Sequence, residues 1–353
     1  PRETKRNRIL DFIAPIFLGL ALFGTTLRGG APPELQPMIV MLASGIVLFS
    51  FRNHPLRFGL GLTALFVVAT LRLSATTANR NVVESRRSFF GVYRILENHG
   101  QGVRIIEHGT TLHGAQFLAD EAVRTPLSYY SRQGPVGDIF SLTALAARAS
   151  GRVGVVGLGV GSLSCYGREG ELWTYFEIDP LVEAIARDTR HFTFLRDCPP
   201  ESRVVLGDAR LTLRQVPDGS FDLFVVDAFS SDAIPLHLMT LEAFRDYFRV
   251  MSPDGVLAVH ISNQHMDLAP VLAAIAARDG RTAVVRRDLF FREEDGHALA
   301  RLPSIWVAMA SSGKPLGRLV SDSLWRPLRN SRGAQPWTDD FSNVLSAIRW
   351  GLR

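Results

Sequence analysis

Residues Val153 to Asp179 constrain this chain more than any other stretch. Val153, Val155 and Val156 predict a strand, Gly157, Gly159 and Gly161 a turn, the residues after them a short helix, and Leu172 to Phe176 a second strand closed by Glu177. A Gly-x-Gly-x-Gly turn between a buried strand and a helix lets the backbone approach a ligand closely, and the helix start offers free N–H groups. An acid ending the next strand accepts hydrogen bonds from both hydroxyls of a ribose. Together these parts predict a nucleoside site. The dinucleotide fingerprint needs its third glycine one position later, where Ser162 stands, and a pyrophosphate on the helix start. The spacing instead suits an S-adenosyl ligand, which carries no phosphate.

Downstream the elements alternate as in a doubly wound sheet. Pro180 to Asp188 predicts a helix, Arg203 to Leu206 a third strand closed by Gly207-Asp208, and Phe221 to Val226 a fourth ending in Asp227. That fourth run is apolar throughout, as a strand buried on both faces requires. Leu236 to Val250 and Leu268 to Arg278 predict helices; Gly255 to His260, Thr282 to Val285 and Ile305 to Met309 predict strands. Upstream, a helix is expected from Asp138 to Ala149. Ligands bind at the carboxyl ends of such strands. Glu177, Asp208, Asp227 and Asp232 all fall there, which assigns the ribose to Glu177, the adenine amino group to Asp208 and the reacting centre to Asp227.

The 353 residues exceed one such domain. Ile9 to Leu27, Leu35 to Phe51 and Leu56 to Leu73 are apolar stretches near the roughly 20 residues that cross a bilayer. They predict a transmembrane helical domain over residues 1–77, multi-pass in the inner (cytoplasmic) membrane with the catalytic domain facing the cytoplasm. Arg2, Lys5, Arg6 and Arg8 put the N-terminus inside, and three spans would then carry the large domain outside. A cytoplasmic catalytic domain therefore needs a further span before Pro1 or a re-entrant segment. Short alternating runs at Phe90 to Leu96, Gly102 to Glu107 and Ala115 to Leu118 predict a small antiparallel β domain over 78–125, with His108, His113 and Gln116 on its turns facing a substrate mouth. The Rossmann-like domain follows over 126–315, then a C-terminal tail over 316–353.

The net charge of +5 comes largely from Arg around the apolar segments and the tail, which favours lipid headgroups. No basic run interleaved with aromatics predicts a nucleic-acid partner. The spacing of His108 and His113 fits no metal-ligand set, so no metal is expected. Cys165 and Cys198 neither require nor suggest a disulfide framework, which is compatible with a reducing compartment.

Gly157-Leu158-Gly159-Val160-Gly161, Glu177-Ile178-Asp179, Gly207-Asp208-Ala209 and the run from Val226 to Asp232 resemble the polyamine aminopropyltransferases, the spermidine synthase family. His108-Gly109-Thr110-Thr111, Ser128-Tyr129-Tyr130 and Trp337-Thr338-Asp339-Asp340 are similar to its membrane-fused bacterial branch. The resemblance covers roughly Phe89 to Asn343. It implies a small β domain before a Rossmann-like domain that binds decarboxylated S-adenosylmethionine, with Asp227 as the base that takes a proton from an attacking amine, and methylthioadenosine as the product. It further implies Asp232 as a second amine ligand, Tyr129 and Tyr130 as walls of the site, Gln116 and His108 beside the cosubstrate, and a possible homodimer.

One departure bears on the ligands. The family's acid-rich stretch after the β domain has no counterpart in Thr125-Pro126-Leu127-Ser128-Tyr129-Tyr130-Ser131. A chain without those acids is also compatible with S-adenosylmethionine itself, its carboxylate paired with Arg132 or His108. Four readings stay open: aminopropyl-type transfer to a small-molecule amine, methyl transfer, cleavage or cyclisation of S-adenosylmethionine with no acceptor, and a membrane-bound nucleoside sensor.

Overall fold

The structure, a computed structural model, describes residues 11–18, 36–77, 80–109, 111–143, 151–228, 235–263, 265–289 and 301–348. The chain divides into two compact units, Pro1–Arg80 and Asn81–Arg353.

The first unit contains helices α1 (11–18), α2 (Gln36–Ser50) and α3 (Pro55–Thr77). Arg57, in the first turn of α3, pairs with the buried Asp11 of α1. A carboxylate withdrawn from water needs such a partner. Among the described residues no helix is long and apolar enough to cross a membrane. The transmembrane domain expected of residues 1–77 thus has no support among the described helices. Of its three apolar stretches, the first is described over 11–18, the second over 15 helical residues and the third over 23. Phe17, Ile46, Phe49 and Phe66 remain exposed on these helices.

The second unit opens with a four-stranded sheet in chain order, β1 (Arg80–Arg87), β2 (Val92–Asn98), β3 (Val103–His108) and β4 (Thr111–Phe117). β3 pairs antiparallel with both β2 and β4. β1 was not expected, because its charged sequence Arg-Asn-Val-Val-Glu-Ser-Arg-Arg lacks an apolar alternation; such charge is common on an edge strand. His108, His113 and Gln116 lie on strands rather than on turns: β4 starts four residues earlier than its apolar residues indicate.

The main sheet has eight strands: β5 (Arg152–Val156), β6 (Leu172–Glu177), β7 (Glu201–Leu206), β8 (Phe221–Val226), β9 (Met251–His260), β10 (Thr282–Asp288), β11 (Ser304–Ala310) and β12 (Arg326–Pro327). Their order is β12-β10-β11-β9-β8-β5-β6-β7. The strands from β5 to β9 pair in parallel, and β11 joins β9 and β10 antiparallel. The helices are α4 (Pro135–Leu142), α5 (Pro180–Arg187), α6 (Phe194–Asp197), α7 (Ala209–Thr212), α8 (Leu241–Val250), α9 (Ala269–Arg278), α10 (Gly313–Leu316) and α11 (Val344–Ala347). Pro135 starts α4 three residues before the expected Asp138, its fixed φ suiting a first turn.

β8 is buried along its whole length, and its side chains alternate between two cores. Leu223 and Val225 enter the core that also takes Tyr93, Ile95 and Ile106 of the small sheet; Phe224 and Val226 enter the core under α8 and α9. Polar links also tie the small sheet to the segment between α5 and α6. Arg104 donates to the His191 carbonyl at 2.6 Å, and the His191 ring lies 2.6 Å from Glu84. Cys165 and Cys198 are joined as a disulfide with Cα atoms 4.9 Å apart. Two cysteines alone did not suggest this bridge; the fold brings positions 33 residues apart within bridging range.

Candidate active site

The strand order reverses between β5 and β8, and a crevice opens at such a point beyond the carboxyl ends of the strands. The glycine turn leaves β5 there and Asp227 leaves β8. Asp227 N–H donates to Val156 O at 2.9 Å, which draws the two chain ends together. Gly157 has φ +95°, and a Cβ on it would lie 2.4 Å from Asp227 O; Gly159 has φ +54°, and its Cβ would lie 2.6 Å from His113 O. Both positions thus admit only glycine. The residues after the turn form the expected short helix, a 3-10 helix over Ser162–Tyr166.

Two cavities meet at Asp227, Gly159 and His113. The narrower, about 110 Å³, is bounded by the glycine turn, Glu177, Asp208, His108 and Tyr93. Glu177 accepts from Leu158 N–H and Asp179 N–H, both at 2.9 Å, so the acid at the end of β6 also holds the turn. Burial pushes its carboxyl above the usual carboxylate range in spite of those donors. Asp208 caps α7 by accepting from Arg210 N–H. The His108 ring stacks on Tyr93 at 4.5 Å.

The wider cavity, about 400 Å³, has Tyr129, Tyr130, His260 and Ser262 on one side and the apolar Leu112, Leu289, Leu302 and Ile305 around them. Tyr130 OH donates to Asp227 Oδ2 at 2.6 Å, while His260 Nδ1 lies 2.7 Å from Oδ1. Burial, and then the Asp227 charge, raise the Tyr130 phenol well above its ordinary value, so it stays a donor. Tyr129 OH donates to Leu112 O, tying the tyrosine pair to β4. Ser128, just before the pair, has φ +59°, a conformation costly for a residue with a side chain and often met beside functional sites. Among the described residues, neither cavity is lined by Lys or Arg, and no group of three or more His, Cys, Asp or Glu converges as a metal site.

The expected residues therefore divide. Gly157, Gly159, Glu177, Asp208, His108, Asp227, Tyr129 and Tyr130 line the two cavities. Gly161 completes the turn behind them, with φ +80°. Gln116 does not line them: its amide donates to Val123 O and Thr193 Oγ1, and its oxygen accepts from Thr193 N–H, so it joins β4 to the main domain. Arg132 is likewise removed, donating to Cys165 O over the Tyr166 ring. Asp232 lies outside the described residues. Trp337 is buried and Asp339 binds Arg210, so the late motif fastens the tail and lines neither of these two cavities. His260 and Ser262 were missed, although their place at the end of β9, beside β8, is where the strand-end rule points.

No family model matches the chain. A solved structure of a probable spermidine synthase from Corynebacterium glutamicum superimposes with a TM-score of 0.54, covering 74% of this chain and 98% of that one at 16% identity. The fold is that of a spermidine synthase. In sequence, 116 residues, 31% of this chain, are 34% identical to the polyamine aminopropyltransferase of Vibrio vulnificus, of which they cover 37%. A further similarity, 26% identity over 212 residues, joins 52% of the chain to 36% of the N-terminal histidine N-methyltransferase of Emericella nidulans. The chain thus spans little more than a third of the length of these curated relatives. On the spermidine synthase fold, the two cavities lie along the carboxyl edge of β5, β6 and β8.

Proposed function

We propose that the chain is a spermidine synthase-like transferase that takes decarboxylated S-adenosylmethionine and a small amine and releases methylthioadenosine. The observation that carries this reading is Asp227, held at the junction of the cavity beside the glycine turn and a wider one. The lining supports the decarboxylated form: Glu177, Asp208 and Asp227 favour cationic ligands, and with Arg132 engaged elsewhere no described Arg or Lys meets a cosubstrate carboxylate.

In this reading Glu177 takes the ribose hydroxyls and Asp208 the adenine amino group. The amine nitrogen attacks the carbon beside the sulfonium; a C–N bond forms, the C–S bond breaks and its electron pair neutralises the sulfur. Asp227 attracts the amine and accepts the proton that leaves nitrogen. The sulfonium is already a good leaving group, so the protein contributes mainly alignment, which reaches about 7 to 11 kcal/mol in favourable cases.

The test is product analysis by mass spectrometry, with S-adenosylmethionine and its decarboxylated form supplied separately, with and without putrescine. Methylthioadenosine is expected from the decarboxylated form plus amine, and Asp227→Asn is expected to lower that turnover at least 1,000-fold, on the order of 4 kcal/mol, while nucleoside binding persists. The same product from S-adenosylmethionine alone would replace transfer by cleavage or cyclisation. S-adenosylhomocysteine would move the protein to methyl transfer, a reading favoured by the histidine N-methyltransferase likeness.

Attachment of the first unit to the cytoplasmic membrane, with the catalytic unit on the cytoplasmic side, belongs to the same proposal. The exposed Phe17, Ile46, Phe49 and Phe66 support it. Flotation with anionic vesicles tests it, and protein that stays at the bottom of the gradient would refute it.

A further inference from the structure

We propose that His260 is the positioning residue of the Asp227 carboxylate. Its ring bridges two groups at the end of β9: Nδ1 lies 2.7 Å from Asp227 Oδ1 and Nε2 lies 2.6 Å from Ser262 Oγ. A carboxylate can only accept, so Nδ1 carries a proton. Ser262 Oγ accepts the Ile305 N–H at 2.8 Å, which fixes the hydroxyl against Nε2. A chain of hydrogen bonds runs from the Ile305 backbone through Ser262 and His260 to Asp227, with a proton on Nδ1.

The ring is also fixed in its plane. It stacks on Trp306 at 4.6 Å and 5°, and it is almost wholly buried beside Tyr129. Asp227 is thereby held by one donor at each oxygen, His260 at Oδ1 and Tyr130 at Oδ2. Two fixed donors orient the carboxylate plane and leave its remaining lone pairs toward the cavities. The order Asp-His-Ser is that of a hydrolase triad. Here the serine oxygen is tied to the backbone where β9 meets β11, and it anchors the ring in place.

The kinetic arm of the test rests on the proposed transferase reading; the spectroscopic arm does not. His260→Leu removes the donor, and kcat for methylthioadenosine release is expected to fall 10- to 100-fold with KM for both substrates within threefold of wild type. His260→Asn presents an amide N–H near the place of Nδ1 and is expected to recover most of kcat. A merely structural role would instead lower the melting temperature and raise KM in both variants. Turnover in His260→Leu equal to wild type, or no recovery in a folded His260→Asn, overturns the proposal.

Separately, nitrogen NMR of histidine-labelled protein, with the His260 signal assigned by its loss in His260→Asn, is expected to find a proton on Nδ1. A ring protonated at Nε2 alone would refute the arrangement. This arm decides even if no S-adenosyl substrate turns over, an outcome that would sink the transferase reading alone.

Discussion

Both carboxylate oxygens of Asp227 have donors before any ligand arrives, and the two donors come from different parts of the chain: Tyr130 from the 3-10 helix Ser128–Tyr130, His260 from the end of β9. Hydrogen bonds to a charged group contribute about 1.5 to 3 kcal/mol each. Tyr130→Phe is therefore expected to lower kcat by roughly 10- to 100-fold with little change in KM; steady-state kinetics on the purified variant measures it. Because burial raises the Tyr130 phenol, its ionisation contributes no alkaline loss of activity at or below its ordinary value of 10.0. A wild-type decline near pH 10 that disappears in Tyr130→Phe would contradict this. At this scale much of the site could be read in advance: Asp227, Glu177 and Asp208 each end a recognisable strand, and the glycines mark the turn. Gln116 and Arg132 were misplaced because a polar side chain within reach of a site has no sequence mark that separates lining it from bracing it.

Between elements, the tail is fastened to the domain beside Asp208. Arg210, the second residue of α7 and two after Asp208, donates to both oxygens of Asp339 at 3.0 Å, and Thr240, the cap of α8, donates to one of them at 2.7 Å. Arg210, followed by Thr240, lowers the Asp339 carboxyl to about 2 from an ordinary 3.8. A depressed acid stabilises the fold above its unfolded value, and that contribution is lost as the pH falls from 3.8 toward 2. Asp339 is nearly half exposed, so solvent screening leaves it worth roughly 1 kcal/mol. Asp339→Asn is expected to lie about that far below wild type in urea unfolding at pH 7, and the gap closes as the pH approaches 2. A gap unchanged by acid would rule out the ion pair as its source. The strands of the parallel sheet were expected within a few residues of where they lie, since unbroken apolar runs and strand-end acids are local signals. β1 was not, because it is held by its neighbour β2 rather than by its own apolar pattern.

For the molecule as a whole, the Cys165–Cys198 bridge closes a loop of 33 residues behind the glycine turn. Loop-closure entropy gives such a bridge about 3 to 4 kcal/mol. Urea unfolding with and without reductant is expected to differ by that order, and a double Cys→Ser variant should match the reduced protein; equal midpoints would show that the bridge adds nothing to stability. By itself the sequence determined the α/β class, the small β domain in front, the glycine turn and the acids at the strand ends, because strand periodicity and the conformational freedom of glycine act over a few neighbouring residues. The apolar stretches of residues 1–77 suggested spans, whereas among the described residues no helix is long and apolar enough to cross a membrane. Only the tertiary structure decided that His260 reaches Asp227 from 33 residues away, that Tyr130 reaches it from 97, that Asp339 holds Arg210 from 129, and that the cysteines meet. Those distances are set by sheet order and packing, and separation along a chain carries no record of them.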